Sequence, residues 1–422
     1  MSVRANLRKF VRHVRTHGIA HAVRLSSAYL CSGKSQQPTD IVAAAKSLNA
    51  LYCAPFGDAA DLAKLGDDEM RMQWIIPSFG FGSGGHTTIF RFVNNLAAMG
   101  YPQRIVILEP HAFQSAAIAK KAMTDWYFPV DAEVALGQEG VVASDVLIAT
   151  GHQTAHTVAA YRAARHRLYF VQDFEPSFFP ASSMSYWAES TYTLGLTGIT
   201  AGGWLAQKLA QDFGMTTHAI SFGVDHSIYH PLGRTPRVGK KTIVFYARHV
   251  TPRRLVELGL AALLRLHEVR DDFKVIVVGG SLDVDALPFE VENLGEVPEA
   301  ALGDVFRRSD VGLVLSGTNL SLMPLELAAC KCAVVMNDNP NARWLLDDKS
   351  AVFARSDPAG LAYALSSALE DTSEARARVA AAYMVARRAD WMDEARDMAA
   401  FIETLDVDTS ITQTQAPSCA AA

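Results

Sequence analysis

The sequence predicts an α/β fold with two Rossmann-like domains facing a cleft, and three observations lead to this prediction. Short apolar runs alternate with helix-length segments, as expected for parallel sheets that are buried on both faces. The alternation is interrupted once, near residues 223–241, by a stretch that contains Pro231, Gly233, Pro236 and Gly239. The length of 422 residues suits two or three domains, at roughly 100–200 residues each.

The first series of strands and helices predicts an N-terminal domain over residues 71–222. Its strands are expected where short apolar runs occur, at residues 72–76, 104–108, 146–149, 168–171, 199–201 and 218–222. Its helices are expected at residues 87–99, 112–126 and 204–213. Ligands of such sheets bind beyond the carboxyl ends of the strands, so the loops after these strands are candidate site segments.

The second series predicts a C-terminal domain over residues 242–373, joined to the first by a linker at residues 223–241. The expected strands are residues 242–247, 274–278, 311–315 and 333–336. The expected helices are residues 255–267, 300–307, 324–330 and 358–369. One long helix is predicted over residues 374–405, packing back on the N-terminal domain, and the polar residues 406–422 are expected to be a disordered tail.

Residues 1–70 are predicted to form a basic helical N-terminal extension. No Asp or Glu precedes Asp40, whereas seven Arg and Lys residues do. A basic amphipathic helix of this kind can make peripheral contact with an anionic membrane, or it can pack on the protein's own surface. Both interpretations are open from the sequence alone.

Composition excludes several classes of protein. With 39 Lys and Arg against 44 Asp and Glu, the net charge is −5, so a nucleic-acid partner is not expected. No apolar run reaches the roughly 18–20 residues of a transmembrane helix, and no export signal is recognisable. The five cysteines are too few for a disulfide framework, so a cytoplasmic protein is expected, free or peripheral at the inner face of the cell membrane.

A glycine-rich loop follows the first predicted strand. Gly80-Phe81-Gly82-Ser83-Gly84-Gly85 matches the dinucleotide-binding pattern, and Glu109 ends the next strand. This pattern alone predicts an NAD(P)-dependent oxidoreductase. The loop also suits any anion or sugar hydroxyl, because it offers close backbone approach and free N–H groups at the start of a helix.

Charged residues also follow strands of the second predicted domain. Arg248, Arg253 and Arg254 come after its first strand, and a guanidinium in that position suits a diphosphate. Later, Gly317 opens a polar loop that leads to Pro324 in the first turn of a helix, with Glu326 one turn in. Phosphate binding near this loop is therefore predicted, with Glu326 able to accept hydrogen bonds from ribose hydroxyls.

Four ordered motifs carry a resemblance to a known family: residues 78–92 (SFGFGSGGHTTIFRF), 168–180 (LYFVQDFEPSFFP), 245–260 (FYARHVTPRRLVELGL) and 321–335 (SLMPLELAACKCAVV). The last resembles the nucleotide-sugar-binding helix of retaining GT-B glycosyltransferases of family 4. The other three are similar to bacterial rhamnosyltransferases of the WsaF type. The resemblance, over residues 73–391, implies a GT-B architecture and metal-independent, retaining transfer of rhamnose from dTDP-rhamnose to a bacterial surface polysaccharide such as O-antigen.

The resemblance also implies roles for individual residues, without a metal or any cofactor beyond a dTDP- or UDP-linked sugar as co-substrate. The residues that it implies for donor binding are Arg248, Arg253, Arg254, Thr318, Ser321, Leu322, Met323, Glu326, Gly84 and Gly85. It also implies that Asp173 and Glu175 orient the acceptor or assist proton transfer, and that His86, in the glycine-rich loop, faces donor and acceptor. Apart from the resemblance, His152 follows a predicted strand, and from that position it could contact the sugar or the reacting hydroxyl. His152 is equally well explained as a helix-capping or core histidine. The acceptor would be a glycan or a lipid-linked oligosaccharide.

One position departs from the family pattern. Many family-4 enzymes carry a glutamate eight residues before the ribose glutamate, where this chain has Thr318. Recognition of the donor sugar is therefore expected to differ, in keeping with a 6-deoxy sugar. Outside this resemblance, a non-catalytic two-lobed carbohydrate-binding protein is the remaining alternative to an oxidoreductase.

Overall fold

The computed structural model describes residues 38–50, 52–66, 69–109, 111–234 and 239–408. The chain divides into two compact units, Met1–Cys53 and Ala54–Ala422. The described part of the first unit contains one helix, α1 (Pro38–Ala50). The basic residues predicted to form a helix before it, and the predicted tail after residue 408, lie outside the described residues.

The N-terminal domain is built on a parallel sheet of seven strands in the order β3-β2-β1-β4-β5-β6-β7. The strands are β1 (Met72–Ile76), β2 (Gln103–Ile107), β3 (Glu133–Leu136), β4 (Ser144–Ala149), β5 (Ala164–Val171), β6 (Thr197–Ala201) and β7 (Thr217–Ile220). The helices are α2 (Gly84–Ala98), α3 (Ala116–Trp126), α4 (His152–Ala160), α5 (Ser183–Ser190) and α6 (Gly203–Phe213). The sheet is doubly wound, as predicted, because the chain begins at the central strand β1 and adds parallel strands on both sides of it.

The C-terminal domain has a parallel sheet of six strands in the order β10-β9-β8-β11-β12-β13. The strands are β8 (Lys241–Tyr246), β9 (Phe273–Val278), β10 (Glu290–Gly295), β11 (Val311–Val314), β12 (Ala333–Asn337) and β13 (Val352–Ala354). The helices are α7 (Val256–His267), α8 (Glu299–Arg307), α9 (Met323–Ala329) and α10 (Pro358–Leu369). Two Rossmann-like sheets are thus present, and the predicted fold class is confirmed.

The prediction of one long C-terminal helix is wrong. Residues 374–405 form two helices instead, α11 (Ser373–Ala386) and α12 (Trp391–Asp408). The break has a tertiary cause, because the carbonyl of Ala389 accepts a hydrogen bond from the N–H of Val224, at 3.1 Å. Asp390 then begins α12 by accepting a hydrogen bond from the N–H of Met392, at 2.7 Å. Helix α12 packs against α2 of the N-terminal domain.

The two domains share a continuous apolar core. One cluster of buried side chains includes Trp74 and Phe170 in the N-terminal domain and Val244 and Phe306 in the C-terminal domain. Such shared packing holds the carboxyl ends of the two sheets toward a common cleft. Within the described part of the chain, no helix is long and apolar enough to cross a membrane.

Candidate functional site

Two adjoining cavities open between the domains, at the carboxyl ends of their strands. Cavity A, of about 340 Å³, is lined by loops that follow β1, β4 and β5 on one side and β8 and β11 on the other. Cavity B, of about 360 Å³, extends between the glycine-rich loop and the segments around Gly279 and Glu296. Gly82, Tyr246 and Arg248 line both cavities, so the two volumes meet at these residues.

Arg248 stands at the junction of the two cavities. It follows strand β8, and its Nη1 donates a hydrogen bond to the carbonyl of Gly82 on the opposite domain, at 2.7 Å. Gly82 has a φ of 71°, a backbone conformation that glycine adopts without strain. The glycine-rich loop is therefore bent toward a guanidinium, and an anion held by Arg248 would contact both domains.

The buried Oγ of Ser321 has no hydrogen-bond partner among the described residues, whereas the buried Tyr229 hydroxyl lies near the Glu326 carboxyl group and the buried His86 ring near the backbone of Pro77. Ser321 lines both cavities, His86 lines cavity A and Tyr229 lines cavity B. Buried polar groups in native proteins are nearly always hydrogen-bonded, and those without a partner mark places where a ligand can supply one. Ser321 Oγ therefore indicates a polar ligand at the place where the two cavities meet.

His86 is positioned by the start of helix α2. Its Nδ1 lies 2.8 Å from the hydroxyl of Ser83, the N-cap residue of that helix. Burial lowers the pKa of His86 to about 4, so the ring is uncharged at neutral pH. An uncharged histidine can exchange hydrogen bonds with a sugar hydroxyl but supplies no positive charge to a phosphate.

Glu326 lies in helix α9 and lines cavity B with its carboxyl group buried. Burial, reinforced by the nearby carboxylate of Glu299, raises the pKa of Glu326 to about 8. A hydrogen bond with the Tyr229 hydroxyl opposes this rise in the pKa of Glu326. Met323, which begins the same helix, and Leu322 also line the cavity.

Asp173 connects the two domains. It follows strand β5, and its carboxylate accepts hydrogen bonds from the Thr318 hydroxyl at 2.9 Å and from the Asn319 N–H at 2.7 Å, both in the C-terminal domain. The same carboxylate lies 3.3 Å from Nε of Arg253. Burial raises the pKa of Asp173, while Arg254 and Arg253 oppose the rise. Asp173 lines cavity A, but its oxygens are already occupied by the other domain.

The three arginines after β8 have different surroundings. The guanidinium of Arg253 lies 4.1 Å from the ring centroid of Phe178 in the N-terminal domain. Arg254 donates hydrogen bonds to the Ser316 hydroxyl and to the carbonyl of Asn319, so it stabilises the loop after β11. All three line cavity A, and Arg248 alone of the three also lines cavity B.

Two predicted site residues do not reach either cavity. His152 is buried, and its backbone N–H and Nδ1 lie 2.7 and 2.5 Å from the Glu175 carboxylate. Of the two interpretations left open for His152, its burial against Glu175 at the start of α4 favours the helix-capping or core histidine. Thr318 donates its hydroxyl to Asp173 and is not positioned to contact a donor. Glu175 lines cavity A, yet it also accepts a hydrogen bond from the Tyr169 hydroxyl.

The remaining predicted residues, Gly84 and Gly85, line cavity A, and Gly84 also lines cavity B. Sequence reasoning missed Tyr246, which lines both cavities and directly precedes the arginine segment at the end of β8. It also missed Arg91, whose guanidinium lies 3.0 Å from the Asp225 carboxylate and 2.8 Å from the Glu299 carboxylate of the other domain. No pattern in the neighbouring sequence indicates that Arg91 forms ion pairs, because both of its partners are distant in the chain.

Two models of one protein family match the chain. The model described as WsaF, N-terminal domain, matches residues 71–201, and the model described as WsaF, C-terminal domain, matches residues 241–366. Together these matches include more than half of the 422 residues. They cover the two Rossmann-like domains in the same order.

The relatives of the chain include a protein of O-antigen biosynthesis and phosphatidyl-myo-inositol mannosyltransferases. The O-antigen biosynthesis protein RfbC of Myxococcus xanthus is 35% identical over 298 residues, which are 68% of this chain and 23% of RfbC. Phosphatidyl-myo-inositol mannosyltransferase of Mycolicibacterium smegmatis is 31% identical over 167 residues, 37% of this chain and 43% of that protein. The matched part of the chain therefore spans less than half the length of either relative.

Solved structures share the architecture at low sequence identity. Sucrose-phosphate synthase from Thermosynechococcus elongatus has a TM-score of 0.60 at 13% identity, covering 80% of this chain and 100% of that one. Anabaena HepE, solved in complex with UDP and glucose, has a TM-score of 0.61 at 16% identity, again covering 80% and 100%. These likenesses confirm the GT-B fold, and the two domain matches show that the chain belongs to the WsaF family.

Proposed function

We propose that this protein is a glycosyltransferase that moves a sugar from a nucleoside-diphosphate donor to a glycan acceptor. The observation that carries the proposal is the junction of the two cavities, since both cavities are lined by Arg248 and by Ser321, whose buried hydroxyl has no hydrogen-bond partner among the described residues. A cation and a hydrogen-bond donor beside the same junction suit a diphosphate. The cavities on either side then accommodate the nucleoside and the sugars.

The charges along the cavities orient the donor. Cavity B is lined by the acidic residues Asp125, Glu296 and Glu299, which disfavour an anion there, whereas the buried Glu326, with a pKa of about 8, adds little charge at neutral pH. The diphosphate therefore belongs at Arg248, with the nucleoside in cavity B and its ribose near Glu326. The donor sugar and the acceptor then share cavity A with His86 and the arginines.

The reaction that we propose needs no nucleophile from the protein. The bond from C1 of the donor sugar to the diphosphate oxygen breaks while the acceptor hydroxyl forms a bond to C1 on the same face. The acceptor proton passes to the departing phosphate oxygen, and Arg248 and Ser321 stabilise the charge that develops there. Since water in the cleft would compete with the acceptor, contact between the domains through Asp173 also limits hydrolysis.

The finer assignments are a rhamnose donor, a retaining and metal-independent reaction, and an acceptor in O-antigen or a similar surface polysaccharide. They are supported by the motif resemblance to WsaF-type rhamnosyltransferases and by the name of the Myxococcus relative, O-antigen biosynthesis protein. The described residues contain no group of three or more His, Cys, Asp or Glu side chains placed to hold a metal ion. Incubating the enzyme with dTDP-rhamnose and an O-antigen acceptor, with and without EDTA, tests these assignments.

Thermal unfolding with added nucleotides tests the proposed function. Saturation at 100 times the dissociation constant stabilises a protein by about 2.7 kcal/mol, so dTDP or UDP should raise the Tm measurably. Arg248→Gln should abolish this rise. Arg265→Gln, a substitution of an exposed arginine paired with Glu268 on α7, is the matched control and should retain it. A rise with NAD and none with dTDP or UDP would instead favour the oxidoreductase alternative.

We also propose a cytoplasmic enzyme that contacts the membrane surface through the basic residues before Asp40. The proposal is supported by the seven Arg and Lys residues there and the absence of Asp and Glu. Deleting residues 1–37 should weaken cosedimentation with anionic liposomes and leave nucleotide binding unchanged. Equal sedimentation of both forms would contradict the membrane contact.

A further inference from the structure

Cavity B contains two aromatic side chains to which the proposed function gives no role. Phe81, in the glycine-rich loop, is 40% exposed, and Trp126, at the end of α3, is 38% exposed. Both line cavity B and both belong to the N-terminal domain. Large apolar side chains that are exposed together in one cavity are typical of a ligand-binding surface.

Trp126 is held rigidly by its neighbours. Its ring centroid lies 5.9 Å from that of Phe79 and 6.3 Å from that of Phe113, in edge-on and tilted contacts. The next residue, Tyr127, donates its hydroxyl to the carbonyl of Gly80 in the glycine-rich loop. These contacts fix the exposed part of the Trp126 ring in place, so little conformational entropy is lost when a ligand packs on it.

The C-terminal domain forms one wall of cavity B, and part of this wall is bare backbone at Gly279. Gly279 has a φ of 86°, and a Cβ at this position would clash with the ring of Tyr246. The backbone is therefore exposed to the cavity at a point where no side chain can be added. Together with the aromatic residues of the other domain, this wall suits a flat ligand group.

The acidic residues that line cavity B indicate that the flat ligand group carries no negative charge. With the diphosphate placed at Arg248 and the ribose near Glu326, the part of the donor left for the remaining volume is its uncharged, planar base. Aromatic side chains bind nucleobases by stacking, and such contacts are tolerant of base identity. The aromatic residues and the donor chemistry therefore correspond.

We propose that Phe81 and Trp126 stack on the base of the nucleotide donor, so that the N-terminal domain binds the nucleoside directly. This inference rests on the proposed function and adds two donor-binding residues to it. One consequence is that donor binding draws the two domains together, because the base then contacts the N-terminal domain while Arg248 of the C-terminal domain holds the diphosphate.

Calorimetric titration of the full chain with UDP, dTDP and inorganic pyrophosphate tests the inference. Trp126→Ala should weaken UDP and dTDP binding about tenfold, which is about 1.4 kcal/mol and within the range of one stacking contact. Phe81→Ala should have an effect in the same direction, and Trp126→Phe a smaller one. Pyrophosphate, which has no base, should bind all variants within about twofold of the wild type, a difference well below the tenfold loss. Tyr186→Ala, which truncates an aromatic residue that is 71% exposed and lines neither cavity, is the control.

The outcomes separate the inference from the proposed function. Unchanged UDP and dTDP affinity in both alanine variants would overturn the inference alone. Equal weakening of nucleotide and pyrophosphate binding would also overturn it, since the two residues would then act on the fold and not on the base. A wild-type chain that binds neither nucleotide would contradict the proposed function, and the inference with it.

Discussion

Replacing Asp173 by alanine removes a buried group of polar contacts between the domains. The carboxylate, 8% exposed, accepts hydrogen bonds from Thr318 and Asn319 and pairs with Arg253, all in the C-terminal domain. In the variant, the Thr318 hydroxyl and the Asn319 N–H lose an acceptor in a buried position. Arg253 loses its counter-charge as well, although it keeps its contact with the ring of Phe178.

The size of the effect follows from these losses. Leaving a buried donor without its partner costs about 1–3 kcal/mol, and removing one member of a buried ion pair costs about 3–5 kcal/mol. Because the contacts share one carboxylate, their energies are not additive. We therefore expect Asp173→Ala to lower the free energy of unfolding by about 3–5 kcal/mol. Asp173→Asn should lower it less, since its amide oxygen can still accept from Asn319.

Urea unfolding, followed by tryptophan fluorescence, measures this loss as a shift of the midpoint. The chain offers a matched control in Asp212, an exposed carboxylate on α6 that pairs with Lys208 one turn earlier. Asp212→Ala should change the free energy of unfolding by no more than about 0.5 kcal/mol. If the domains unfold separately once their connection is lost, the Asp173→Ala transition will also broaden or divide into two.

A free energy of unfolding for Asp173→Ala within about 1 kcal/mol of the wild type would refute this reasoning. It would mean that the apolar core shared by the domains is sufficient to hold them. Asp173 would then be available for chemistry in cavity A, and its effect would be sought in the rate of sugar transfer.

Three further predictions concern single residues. Burial favours the protonated form of Glu326 in the folded protein, so the free energy of unfolding falls as the pH rises from 4.5, its ordinary pKa, to about 8. Glu326→Gln should therefore raise the Tm more at pH 9 than at pH 5, and an equal change at both would contradict the buried carboxyl group. Gly279→Ala forces a positive φ and a contact with Tyr246, and it should lower the free energy of unfolding by about 2 kcal/mol or more and weaken UDP binding. Arg91→Met removes two carboxylate contacts, and a urea midpoint equal to that of the wild type would show that neither contributes to stability.

Much of the fold could be predicted because buried parallel strands are continuous apolar runs. Strand β1 was predicted at its observed bounds, and all five of its residues are buried. Three of the four strands at sheet edges were missed, namely β3, β10 and β13, whereas the fourth, β7, was predicted at residues 218–222. An edge strand has a neighbouring strand on one side only and is therefore less buried. Strand β10, with the sequence EVENLG, is partly exposed and carries polar side chains, so it does not form the apolar run by which buried strands are recognised.

The C-terminal helices show a limit of local patterns. No proline or glycine occurs at residues 387–390, so nothing in the sequence breaks the helix there by itself. The break depends on Val224, far away in the chain, which pairs with Ala389. Asp390 could have indicated the start of a new helix, since Asp is a preferred N-cap residue. A single Asp, however, does not distinguish a helix cap from an ordinary surface carboxylate.

The candidate site could be predicted where a loop follows a strand and not where side chains from two domains meet. Arg248 and Ser321 reach the cavities because their loops follow β8 and β11. His152 also follows a strand, yet it is buried against Glu175, whose position depends on the turn after β5. Such partnerships are tertiary, and spacing in the sequence carries no information about them.

The central claim is that a nucleoside diphosphate binds across the two cavities with its phosphates at Arg248. A crystal structure of the protein soaked with dTDP-rhamnose tests this claim most directly. The account predicts the diphosphate within hydrogen-bond distance of Arg248 and Ser321, the ribose near Glu326, the base beside Trp126 and the sugar in cavity A. A nucleotide bound outside these cavities, or bound with its phosphates remote from Arg248, would contradict it.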